Sequence, residues 1–114
     1  MLYEIAQWRV SVANSIKHIE FWKEHLAFQR IHRERFSYKS ARVLRINDPE
    51  TPEEEIWMWI DEYENQESYD RMSKALHEDP ELSNYRSQAH SRFDDLFVPG
   101  SLKTEVWTEH FRVD

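Results

Sequence analysis

Strand geometry would gather four tryptophans and one acid on a single surface. Glu4 and Trp8 stand near the start, Trp57 and Trp59 in mid-chain, and Trp107 near the end. Rings interspersed with a carboxylate suit a flat apolar, aromatic or cationic small molecule, held by stacking and cation–π attraction. The same rings also suit burial against another subunit, and residue type alone does not choose. His90, between Ala89 and Phe93 on a segment of helical spacing, is the candidate general base, because imidazole titrates near neutral pH. Its plainer role is a hydrogen-bonded histidine at the edge of the core.

His18, His25 and His32 recur every seven residues, in line with Phe21 and Phe28. Steps of seven lie roughly 10.5 Å apart along a helix, too far to chelate one ion. Glu20 and Glu24 are four apart but have no histidine at chelating distance on their face. The sequence therefore calls for no metal and no cofactor. The histidines read as a half-exposed surface stripe, or as a helix-to-helix contact that weakens on protonation near pH 6. No serine is surrounded by nucleophile-elbow glycines and no phosphate-binding loop exists, since Gly100 is the single glycine.

The segment 53–65, EEEIWMWIDEYEN, must position much of this set. At the strand period of two, Ile56, Met58 and Ile60 share one face, and Trp57, Trp59 and Tyr63 the other. A half-solvated strand alternates apolar with polar; this one has two apolar faces, so both need cover. We expect the aliphatic face under helices. The aromatic face then meets a second copy of the chain or a ligand.

A single domain, residues 1–114, fits the length, and 14% aromatic residues supply buried area that 39% apolar content otherwise limits. A formal net charge of −7 argues against nucleic acid or an anionic membrane as partner. The absence of cysteine excludes disulfides, thiolate nucleophiles and zinc–sulfur sites. No apolar run approaches the ~20 residues of a membrane span, and the N-terminus carries no secretory pattern. A cytoplasmic location is the expectation.

Leu2 to Val12 reads as a strand, and Asn14 or Ser15 as the cap of a helix running to about Phe36. The expected core stripe of that helix is Ile16, Ile19, Leu26 and Ala27, with Trp22 and Ile31 at its edges. Strands follow at Tyr38 to Ile46 and in the 53–65 segment, across a loop with two prolines. Asn65 caps the next helix. Asp79-Pro80 ends it and starts another that reaches about Phe97, and Leu102 to Val113 is a last strand. The order βαββαβ is that of an α+β, ferredoxin-like fold: a four-stranded antiparallel sheet with both helices on one face.

Three stretches resemble the dimeric α+β barrel superfamily, in particular NIPSNAP-like and antibiotic-biosynthesis-monooxygenase-like proteins. They are Tyr63-Glu-Asn65-Gln-Glu-Ser-Tyr69, Leu76-His-Glu-Asp79-Pro80-Glu81-Leu82-Ser-Asn-Tyr85, and the opening Tyr3-Glu4-Ile5-Ala6-Gln7-Trp8. In that opening, Ala6 and Trp8 stand where the NIPSNAP-like pattern has arginine and tyrosine. The resemblance implies a homodimer with two sheets face to face, and a small-molecule pocket in each protomer. It also implies relatives that oxidise aromatic polyketides without a conventional cofactor, or degrade haem. The haem-degrading branch uses an asparagine, a tryptophan and a histidine, matched here by Trp8, Met72 and His90; the first two differ in type. The expectations are thus a small-molecule-binding protein or cofactor-independent enzyme, its pocket lined by Glu4, Trp8, Trp57, Trp59 and Trp107 with His90 approaching. The alternative is a structural homodimer whose aromatic face is consumed by self-association.

Overall fold

The computed structural model describes all residues, 1–114. Strand β1 (Leu2–Ser11) leads through a short turn of 3-10 helix into α1 (Ser15–Ile31) and the single turn α2 (Arg33–Phe36). Strands β2 (Ser40–Asn47) and β3 (Glu54–Tyr63) follow, then α3 (Gln66–Glu78), α4 (Pro80–Asp94) and β4 (Lys103–Thr108). The sheet order is β2-β3-β1-β4, and every neighbouring pair is antiparallel. The fold is the α+β, ferredoxin-like architecture that the element order predicts.

The local signals behind this order are visible. Asn65 accepts a hydrogen bond from the Ser68 backbone N–H and so starts α3. Asp79 stops α3 and accepts from the N–H groups of Glu81 and Leu82, while Pro80 opens α4 with a φ already suited to a helix. After α2, Ser37 turns the chain through a left-handed conformation, φ 56°. The last strand is shorter than expected: pairing with β1 ends at Thr108, and Phe111 and Val113 are exposed.

The faces of the sheet are reversed from the sequence expectation. Along β3, Glu55, Trp57, Trp59, Asp61 and Tyr63 are buried, while Ile56, Met58 and Ile60 are only half-buried. The rings lie beneath the helices, where Trp8, Val10, Trp57 and Trp59 pack with Ile19, Trp22, Leu26, Phe93 and Phe97. The aliphatic residues face the open side, joined by Leu44 and Ile46 of β2 and Trp107 of β4.

The reason lies in what the helices present. α1 turns His18, Phe21 and Gln29 inward, and leaves Ile16 and Ile31 exposed at 75% and 78%. Ala27 is exposed as well. Apolar residues are spread around this helix, so spacing alone selects no stripe. The rings decide it, because stacking them removes more area from water than the isoleucines can. Trp22 stacks between Trp8 and Trp59, with centroids 5.4 and 5.1 Å away.

At the centre of this packing is His18, 0% exposed. Its Nε2 accepts from the indole N–H of Trp8 at 2.8 Å and of Trp22 at 3.0 Å. The proton must then sit on Nδ1, which has no hydrogen-bond partner. Its ring meets Trp57 at 4.4 Å. His18 therefore does not belong to a half-exposed surface stripe, while His25 and His32 are half-buried. Replacing His18 by Ala leaves two buried indole donors unpaired, at about 1–3 kcal/mol each. Urea denaturation of His18→Ala is expected to show roughly 2–6 kcal/mol of lost stability; a loss below about 1 kcal/mol would refute the double-acceptor role.

Candidate functional site

A cavity of about 470 Å³ lies between the helix-covered side of the sheet and α1, α3 and α4. Ala6 forms part of its floor. Ala6 lies opposite Trp59 on β3 and Thr104 on β4, and its short side chain leaves room in mid-sheet. Trp8, Trp22, Trp59 and Phe93 form an aromatic wall.

Two residues further along β1 and β3, Glu4 and Asp61 stand directly opposite each other on the same face. The Tyr63 hydroxyl donates to Asp61 Oδ2 at 2.6 Å, while Oδ1 has no hydrogen-bond partner. Burial pushes the Asp61 carboxyl up to about 7, and the charge of Glu4 adds to the rise, against the pull of the Tyr63 hydroxyl and of the Trp59 indole, which comes near without reaching hydrogen-bond geometry. Burial and the Glu4 carboxylate together raise the Tyr69 hydroxyl to about 12. A carboxyl poised near neutrality in an aromatic cavity can take up, hold or release a proton.

A hydrogen-bonded chain crosses the cavity wall. The Tyr38 hydroxyl donates to Gln29 Oε1 at 3.0 Å. The Gln29 amide lies 3.0 Å from His25 Nε2, and His25 Nδ1 lies 3.1 Å from the Tyr85 hydroxyl. Amide donation to Nε2 leaves the Nδ1–H to donate to Tyr85, which is the pattern of a neutral imidazole. Burial lowers His25 to about 4, with the charges of His90 and Arg92 adding to the fall.

The expected site residues are thus distributed as follows. Glu4, Trp8 and Trp59 line the cavity, and His90 lies on its exposed rim with Arg86 and His77. Trp57 is buried beyond it, against His18, with its indole donating to Glu55 at 3.2 Å. Trp107 is 56% exposed and lies on the opposite side of the sheet, because its partner on β1 is Tyr3, out of phase with Glu4 and Ala6. Met72, like Trp8 and His90, borders the cavity. Asp61 is the residue that sequence reasoning passed over. Its signal was its parity with Trp57, Trp59 and Tyr63. No three His, Cys, Asp or Glu cluster so as to hold a metal ion, and no helix is long and apolar enough to cross a membrane.

The buried groups set a pH dependence. Burial lowers His18 and His25 from 6.5 to about 4, so each stabilises the fold in its neutral form; that contribution is complete above pH 6.5 and is lost as pH falls towards 4. Asp61 opposes them. Its carboxyl is raised from 3.8 to about 7, so its contribution is present below pH 3.8 and is lost as pH rises through 7. Between these limits unfolding takes up two protons on the histidines and releases one from Asp61. Stability is expected to rise from pH 4.5 to 6 with a net slope of about one proton, and of about two in Asp61→Asn. Urea midpoints across that range check it, and equal slopes in both proteins would count against a buried protonated Asp61.

No family model matches the sequence, and no curated protein sequence is significantly similar. Solved structures do share its fold. An antibiotic-biosynthesis-monooxygenase-like protein from Deinococcus radiodurans superposes with a TM-score of 0.63 at 13% identity, over 100% of this chain and 97% of the other. A Streptomyces coelicolor monooxygenase, solved with the ligand nanaomycin D, gives 0.60 at 18% identity, over 98% and 89%. An uncharacterised NIPSNAP domain protein from Burkholderia xenovorans gives 0.58 at 12% identity, over 100% of both chains. At these identities the likeness is one of fold, and the fold is the one shared by antibiotic-biosynthesis-monooxygenase-like and NIPSNAP-domain proteins.

Proposed function

We propose that this protein binds a flat aromatic small molecule in the cavity between its sheet and helices, as a cofactor-independent, monooxygenase-like protein. The observation that carries the reading is the cavity itself, walled by Trp8, Trp22 and Trp59 and holding one buried carboxyl, Asp61. Apolar walls with a few convergent polar groups are the usual make-up of a small-molecule site. A monooxygenase with this fold was solved with the ligand nanaomycin D, which supports a small-molecule ligand. In this reading Glu4, Trp8 and Trp59 contact the ligand, and His90 at the rim serves as proton acceptor in turnover. Trp57 and Trp107 play no part.

The open side of the sheet supports a second element of the proposal, a homodimer. Ile56, Met58, Ile60, Leu44, Ile46 and Trp107 form an apolar face that no helix covers. A second copy offers the same face and satisfies it by two-fold symmetry. This contact buries aliphatic side chains, leaving the aromatic cavity free within each protomer.

Flat bicyclic aromatics such as 1-naphthol are expected to quench the tryptophan fluorescence saturably. Ala6→Leu, which fills the cavity floor, should weaken that binding at least tenfold while the far-ultraviolet circular dichroism stays unchanged. Absence of saturable quenching across such a panel would reject the ligand site. For the dimer, Met58→Lys should yield a folded monomer by light scattering, because it places a charge in the apolar interface. Trp59→Lys should instead unfold the protein. A wild-type monomer at micromolar concentration would end the dimer proposal.

A further inference from the structure

We propose that the Glu4–Asp61 end of the cavity is a recognition site for a positively charged nitrogen, a protonated amine or amidine, carried by the flat aromatic ligand. The inference rests on the reading of the cavity as a ligand site and assigns the charge of what enters it.

Three observations carry it. Asp61 is 4% exposed, lines the cavity, and has one carboxyl oxygen without any hydrogen-bond partner. A buried acceptor left unpaired is costly, and a donor from the ligand removes that cost. Glu4 lies directly across from it on β1, and none of the chain's ion pairs involves either carboxylate. Two facing carboxylates in a poorly solvated site repel and cannot both ionise cheaply. A cation between them attracts both carboxylates and offsets their repulsion, which a neutral hydroxyl cannot do and an anion would aggravate. The third observation is the surrounding rings. Trp59, Tyr63 and Tyr69 line the same cavity, and ring faces attract a desolvated cation.

An empty site meets the same electrostatic need with a proton, so ligand and proton compete for Asp61. The other titratable groups facing it do not blur this competition between pH 6 and 8. Tyr38, Tyr63 and Tyr69 are all raised, chiefly by burial, and His25 is lowered to about 4. His77, Arg86 and His90 lie on the exposed rim, where solvent and salt screen them.

Three probes with one ring system separate the terms: 2-naphthylmethylamine, 2-naphthylmethanol and 2-naphthoate. At pH 8 the amine, as its ammonium, should quench at least tenfold more tightly than the alcohol, with the carboxylate weakest. Its affinity should fall from pH 8 to pH 6, and calorimetry at pH 6 in buffers of different ionisation enthalpy should register proton release on binding. The amine's advantage should disappear in Asp61→Asn. Should that variant fail to fold, Glu4→Gln, at a half-buried position, should reduce the advantage. Equal binding of all three probes would overturn this inference and leave the cavity reading standing. Persistence of the amine's advantage in the folded variants would also overturn it. Absence of quenching by every probe would remove both readings together.

Discussion

Two indole N–H groups converge on one imidazole nitrogen, and the helix-to-sheet packing depends on that meeting. Trp8 comes from β1 and Trp22 from α1, and His18 Nε2 accepts from both. An indole N–H buried without an acceptor is costly, and a chain that packs large aromatic rings in a small core must supply acceptors with them. His18 satisfies two with one ring, at the expense of its own unpartnered Nδ1. It does so only while neutral, so the same desolvation that holds the core together lowers its proton affinity.

The cavity follows from the same choice of core. Trp22 stacked between Trp8 and Trp59 fixes α1 above the centre of the sheet. Beneath it, the small Ala6 cannot fill the space that Trp59 and Thr104 leave on either side. Beyond Ala6, the sheet places Glu4 and Asp61 where burial keeps one of them near neutrality. Rigid rings on one side and one poised acid, Asp61, on the other give a pocket whose shape comes from stacking and whose charge comes from strand register.

Much of the architecture could be read along the chain. Asn65, Asp79 and Pro80 mark their helix boundaries by side-chain chemistry that acts within a few residues, and the structure has the breaks there. Strand β3 declares its period of two without ambiguity, and the grouping of Trp57, Trp59, Asp61 and Tyr63 on one face needs no partner. That grouping already contained Asp61, the acid that the cavity uses. It is legible as a parity match among rings, although a single carboxyl beside Glu62 and Glu64 has the look of solvated surface.

The sequence by itself determined that β3 has a ring face and an aliphatic face, and that the order of elements is βαββαβ, because both follow from local period and local capping. Only the tertiary structure decided which face lies under the helices. That choice depends on what α1 and α4 present from far along the chain, and α1 carries apolar residues on all sides: Ile16 and Ile31 outward, Phe21 inward and Trp22 against the sheet. Ring stacking across three elements outweighs the isoleucines, and no spacing rule within one helix contains that comparison. The same long-range choice brought Glu4, Trp8 and Trp59 to one cavity, carried Trp107 to the other side of the sheet, and buried His18 where its spacing alone suggested a surface.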